Sequence, residues 1–186
     1  MLKKIILIVV ILILAGSAAV YFYLFRPATG FEDKSKYFFI ASDSTGRADL
    51  LLNLEKNNIV KNTGLFDRFA GWLDYWESVK PGRYEISKGM NTSEIVRLLK
   101  SGKQAPVKLV INKFRTREDF SRFAGRVLEC DSIDLVQFLN SNDSLRDFSL
   151  DTNTPMTMVI PNTYEMFWNT SAERFFKRMY SESQKF

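Results

Sequence analysis

The chain has 186 residues, 46% hydrophobic and 14% aromatic, enough apolar material for one domain or two small ones beyond any terminal membrane segment. It has no histidine and a single cysteine, Cys130, which excludes Ser-His and Cys-His nucleophilic sites, His-ligated metals, thiolate clusters and an internal disulfide. Of the net charge of +5, Lys3, Lys4 and Arg26 supply three, and the net +2 left on residues 27–186 is no nucleic-acid footprint.

Residues 5–25 contain no charged side chain. At ~1.5 Å per residue, a helix of this length spans about 32 Å, enough to cross a bilayer core. Tyr21, Phe22 and Tyr23 stand near one end, where an aromatic belt would lie. The alternative is a cleaved signal peptide, with Lys3 and Lys4 as its basic region and Ser17-Ala18-Ala19 as its cleavage site. The apolar run continues through residues 20–25, which favours an uncleaved anchor. The four-residue flank before a long domain gives an N-in, C-out orientation, with the folded part on the extracytoplasmic side.

Residues 27–36 read as a polar linker with Pro, Gly and charges. A strand-turn-helix unit then recurs. The first copy is the strand Tyr37-Phe38-Phe39-Ile40, followed by a helix with Leu50, Leu51, Leu54 and Ile59 on its apolar side. Residues 63–76 read as a further helix facing the core with Leu65, Phe66, Phe69, Trp72, Leu73 and Trp76. The second copy is Gly82-Arg83-Tyr84-Glu85-Ile86, whose alternation puts Tyr84 and Ile86 on one face, then a helix from Asn91 with Ile95, Leu98 and Leu99. The third is Val107–Ile111, then a helix with Phe120, Phe123 and Val127.

Asn91 with Glu94, and Thr116 with Asp119, have capping-box spacing, and Gly102 fits a helix C-cap. A helix with Ile133, Leu135, Val136 and Leu139 follows Asp131. Residues 141–155 read as a loop or a short frayed helix, and Ser171 opens an amphipathic helix with Phe175, Phe176 and Met179. Cys130, between Glu129 and Asp131, has no cation beside it in sequence and reads as a helix-end filler. The first βα units resemble LysM-like glycan-binding modules, although strand-turn-helix units pack into an α+β layer whatever their function.

Three segments carry a wider resemblance: GRYEISKGMNTSEIVRLLKSGKQ, VKLVINKFRTREDFSRFA and IPNTYEMFWNTS. With the N-terminal anchor they resemble the YceG-like family of endolytic murein transglycosylases. Gly82, Tyr84, Gly89, Met90, Ile95, Leu99 and Gly102 match its first motif, and Pro161, Asn162, Thr163 and Tyr164 match its P-[DN]-T-Y element. The family's E-G before the third helix is Lys113-Phe114 here, and its L-E-G ahead of P-[DN]-T-Y is replaced by Pro155-Met156-Thr157.

The resemblance implies an α+β chain: a transmembrane helix within 1–26, a linker over 27–36, a LysM-like α+β module over 37–104, and over 105–186 the incomplete N-terminal part of a mixed α/β catalytic domain. It implies lytic cleavage of the MurNAc-GlcNAc bond with formation of 1,6-anhydro ends, no cofactor and no metal. Its partners would be peptidoglycan glycan strands, the bilayer through residues 5–25, and peptidoglycan synthases.

The family's catalytic glutamate lies in an A-S-[IL]-[IV]-E-K-E segment beyond the P-[DN]-T-Y element. The 186 residues contain no such segment, so the expectation is an anchor, a module and one wall of a cleft. Within that wall Asn162, Thr163, Tyr164 and Glu165 are the substrate-binding candidates, with Tyr164 stacking on a sugar, and Glu165 is the one carboxylate available as a catalytic candidate. The bland alternative is a capped turn with Tyr164 in the core and Glu165 in solvent. A non-enzymatic glycan- or divisome-binding module, and an unrelated anchored domain, are the other readings.

Overall fold

The computed structural model describes residues 6, 9–16, 21 and 26–185. Residues 9–16 are helical and exposed. Among the described residues no helix is long and apolar enough to cross a membrane. Most of the anchor expected over 5–25 lies outside them.

Two units follow. The first runs through Lys80 and takes up again over Tyr84–Lys103; the second comprises Pro81–Arg83 and the chain from Gln104 on.

The first unit is built on a two-stranded sheet of β1 (Ser35–Ile40) and β2 (Gly82–Ser87). Period-2 alternation buries Phe38 and Ile40 from one strand and Tyr84 and Ile86 from the other. Helices α1 (Arg47–Lys56), α2 (Thr63–Trp72) and α3 (Thr92–Ser101) complete the unit. They bury Leu50, Leu54, Phe66, Ala70, Ile95, Val96 and Leu99 in one cluster.

Helix α3 is held at both ends as its sequence predicts. Asn91 and Glu94 form a complete capping box, with both bonds 2.9 Å. Gly102 closes the helix at φ 72°, a left-handed conformation that costs glycine no Cβ clash. Ile59 is buried although it lies outside α1. Asn58 turns left-handed at φ 51°, the Ile59 N–H donates to the Leu54 carbonyl, and this Schellman-type ending folds Ile59 back onto the core.

Two expectations for this unit need correction. The helix expected over 63–76 ends at Trp72. Asp74 turns left-handed (φ 49°) into a 3-10 turn, Tyr75–Glu77, which sends Tyr75 into the core and leaves Trp72 72% exposed. Residues 27–36 also do more than space. The Ala28 N–H donates to the Met90 carbonyl, the Lys61 N–H donates to that of Ala28, and Thr29 and Phe31 are buried. Pro and Gly content registered as linker composition and concealed these backbone pairings.

In the second unit β3 (Val107–Ile111) pairs antiparallel with β4 (Asn162–Met166). Helices α4 (Arg117–Gly125), α5 (Ser132–Leu139), α6 (Asn142–Arg146) and α7 (Ala172–Ser183) pack a separate core. It includes Leu109, Ile111, Phe120, Leu135, Leu139, Leu145, Tyr164, Phe175, Phe176 and Met179. The Thr116, Asp131, Ser141 and Ser171 side chains each accept a backbone N–H at a helix start. Within this core Phe120 stacks on Phe175, and Phe148 meets Phe176 edge to face.

The P-N-T-Y segment is thus an edge of a ladder rather than a turn. Ile133, expected on the apolar face of α5, is 60% exposed. Cys130 immediately precedes Asp131, the N-cap of α5, and is half-buried against this core, as expected of a helix-end filler.

Candidate functional site

The β3–β4 ladder decides where each motif residue points. In register, Leu109 faces Tyr164, Lys108 faces Glu165 and Val110 faces Thr163. Alternation sends Leu109 and Tyr164 inward and the other two pairs outward. Of the four candidates, Asn162, Thr163 and Glu165 are exposed together on one short strand, and Tyr164 is not.

Tyr164 is 2% exposed and its hydroxyl donates to the Ile160 carbonyl at 2.9 Å. Burial raises the phenol's pKa, with the Glu182 carboxylate adding to the rise and the Arg178 guanidinium opposing it. The stacking role for Tyr164 is therefore corrected: its ring faces are spent on the core, and its polar tip is satisfied by the backbone. Glu165 reaches outward, with Lys108 Nζ 3.3 Å from its Oε1.

Glu165 lines a cleft of about 500 Å³ together with Pro106, Met166, Phe167, Asn169, Thr170, Arg174 and Arg178. Phe167 is 52% exposed there. Asn169 Nδ2 donates to the Pro81 carbonyl at 3.2 Å and the Thr170 hydroxyl to the Phe167 carbonyl at 2.6 Å, which fixes the segment between β4 and α7. The cleft offers a carboxylate, two guanidinium groups, an amide and an exposed aromatic ring. Such a set suits a polar, ring-bearing ligand with acceptor groups.

Arg174 and Arg178 were not foreseen. The signal lies in the sequence: Phe175, Phe176 and Met179 mark the apolar side of α7, and residues 174 and 178 fall four apart on its other side. A second cleft, in the first unit, is lined by Tyr37, Phe39, Asp49, Leu52, Asn53 and Lys56. Tyr37 and Phe39 are the outward half of the strand whose inward half is Phe38 and Ile40. Among the described residues no group of three or more His, Cys, Asp or Glu could hold a metal ion. Cys130 lies outside both clefts, and its thiol is pushed up to about 11 by burial, with Asp134 nearby adding to the shift.

Comparison with known proteins bears on the same segments. Residues 38–186 match the YceG-like family. A crystal structure of a YceG-like protein from Listeria monocytogenes is similar at 22% identity, over 83% of this chain and 56% of that one, with a TM-score of 0.39. This chain thus spans little more than half the length of that relative. No match was found among curated proteins. The family match takes in both strand pairs and every helix from α1 to α7, and on that extent the chain belongs to the YceG-like family.

Proposed function

We propose that this chain is the membrane-anchored, substrate-holding part of an endolytic peptidoglycan transglycosylase. It acts on the extracytoplasmic side, with residues 5–25 in the bilayer and the first unit serving as a LysM-like glycan-binding module. The observation that carries the proposal is the exposure of Asn162 and Thr163, residues of the family's P-[DN]-T-Y segment, on the same strand as Glu165, which lines a polar cleft.

The reaction needs few groups. The muramic C6 hydroxyl attacks the anomeric carbon, the glycosidic C–O bond breaks, and one carboxyl group protonates the leaving oxygen and takes up the C6 hydroxyl proton. Hydrolases of the common kind need a second carboxylate to activate water or form a covalent intermediate. In this proposal Glu165 positions glycan hydroxyls. It stands on an exposed sheet face beside Lys108, not in the apolar enclosure where glycosidic general acids are found. The acid comes from the family's A-S-[IL]-[IV]-E-K-E segment.

The test is release of 1,6-anhydro-muropeptides from purified sacculi by the 186-residue chain and by a chimera carrying that segment. Release by the chimera alone supports the proposal. Release by neither overturns it, and release by the shorter chain moves the acid to Glu165.

A further inference from the structure

We infer that Arg174 and Arg178 form a carboxylate-binding subsite that reads the peptide stem of the glycan; this rests on the peptidoglycan reading above. The lining of the cleft carries two chemically distinct kinds of group. Glu165 offers acceptors only, matching sugar hydroxyls and amide N–H groups. Arg174 and Arg178 offer donors only, in the planar fork that fits a carboxylate through two parallel bonds. Met166 and Phe167 lie among the lining residues with them and supply apolar surface. A strand carrying neutral sugars and a carboxylate-ended peptide has the same two-part character.

The arginines are placed by the fold rather than by chance. Ser171 accepts the Arg174 N–H and fixes the start of α7. Burial of Phe175, Phe176 and Met179 then fixes the helix's rotation, so residues 174 and 178 are held on its exposed side.

Their charge is also available. Among the described residues Arg174 makes no ion pair. Arg178 lies 2.9 Å from the Glu182 carboxylate, but that same oxygen is also 2.9 Å from Lys185 Nζ. Glu182 is thus shared between two cations, and Arg178 keeps donors to spare. Glu165, the one carboxylate among the lining residues, is engaged by Lys108. Two guanidinium groups against one carboxylate leave the lining residues net positive.

The test is equilibrium binding to the full chain in detergent micelles. The probes are a GlcNAc-MurNAc-tetrapeptide, the same compound with its peptide carboxylates amidated, carboxylate-free GlcNAc oligomers, and inorganic phosphate as a competitor at constant ionic strength. The acid form is expected to bind about tenfold more tightly than the amidated form, equivalent to about 1.4 kcal/mol. The double variant Arg174→Ala/Arg178→Ala is expected to lose that preference, and an unchanged far-UV circular dichroism spectrum and thermal midpoint report that it is folded. Phosphate is expected to compete weakly.

Equal affinity for acid and amide, or a preference that survives the double variant, overturns the inference while leaving the glycan reading in place. Phosphate binding tighter than the peptide acid overturns it in favour of a phosphate site. Failure of the native chain to bind either the disaccharide-peptides or the GlcNAc oligomers overturns the peptidoglycan reading itself.

Discussion

Lys108 and Glu165 are directly opposed partners in the antiparallel β3–β4 ladder, with Nζ 3.3 Å from Oε1 and both side chains more than half exposed. One residue along, Leu109 opposes Tyr164 and both are buried. The two pairs share a backbone geometry and differ in solvent. An exposed pair contributes about 0–1 kcal/mol, whereas truncating a buried leucine costs about 2–5 kcal/mol. Lys108→Ala should therefore leave the urea midpoint nearly unchanged, and Leu109→Ala should lower it strongly.

Tyr164 separates a packing role from a ligand role. Tyr164→Phe removes one hydrogen bond and leaves the Ile160 carbonyl without this donor, a loss of about 1 kcal/mol. Because the ring is buried, affinity for glycan should not change. A drop in glycan affinity with unchanged stability would show the hydroxyl contacting ligand and contradict its place in the core.

The Asn91 capping box predicts a position-specific effect. Asn91→Ala strips the acceptor from the Glu94 N–H and should cost about 1 kcal/mol of stability, while Asn91→Asp should cost little. Amide exchange would report faster opening of the first turn of α3 in the alanine variant, and unaltered protection there would contradict the assignment.

Cys130 carries a pH signature. Its folded thiol is raised from about 9 to about 11, so the neutral form is the one the fold favours. That contribution to stability is complete below pH 9 and is lost as pH rises from 9 towards 11. Alkylation of the native protein should stay slow at pH 8 and accelerate only near pH 11, with the denatured chain reacting quickly at pH 9. Rapid native alkylation at pH 8 would show a thiolate that the surroundings of Cys130 do not support.

Much of the fold was legible because its signals are local. The alternation of Tyr84 and Ile86, the Asn91–Glu94 spacing and Gly102 each act within a few residues, and each element stands where they place it. The burial of Thr29 and Phe31 and the pairing of β4 with β3 depend on backbone bonds to distant residues, whereas the inward turn of Tyr75 follows from a left-handed aspartate, Asp74, that interrupts a continuous apolar pattern. The candidate site divided the same way. The motif located Asn162 and Glu165, but the inward turn of Tyr164 and the outward turn of Thr163 and Glu165 follow from the ladder register, and Arg174 and Arg178 join Glu165 only through the rotation of α7.

The most direct test of the account is co-sedimentation of the 186-residue chain, in detergent micelles, with purified sacculi, beside the variant Asn162→Ala/Glu165→Ala. Both substituted side chains are exposed, so the variant should fold. The account predicts saturable binding by the native chain and a several-fold weaker association for the variant. No saturable binding, or equal binding by both, would contradict the claim that the outward edge of β4 holds glycan.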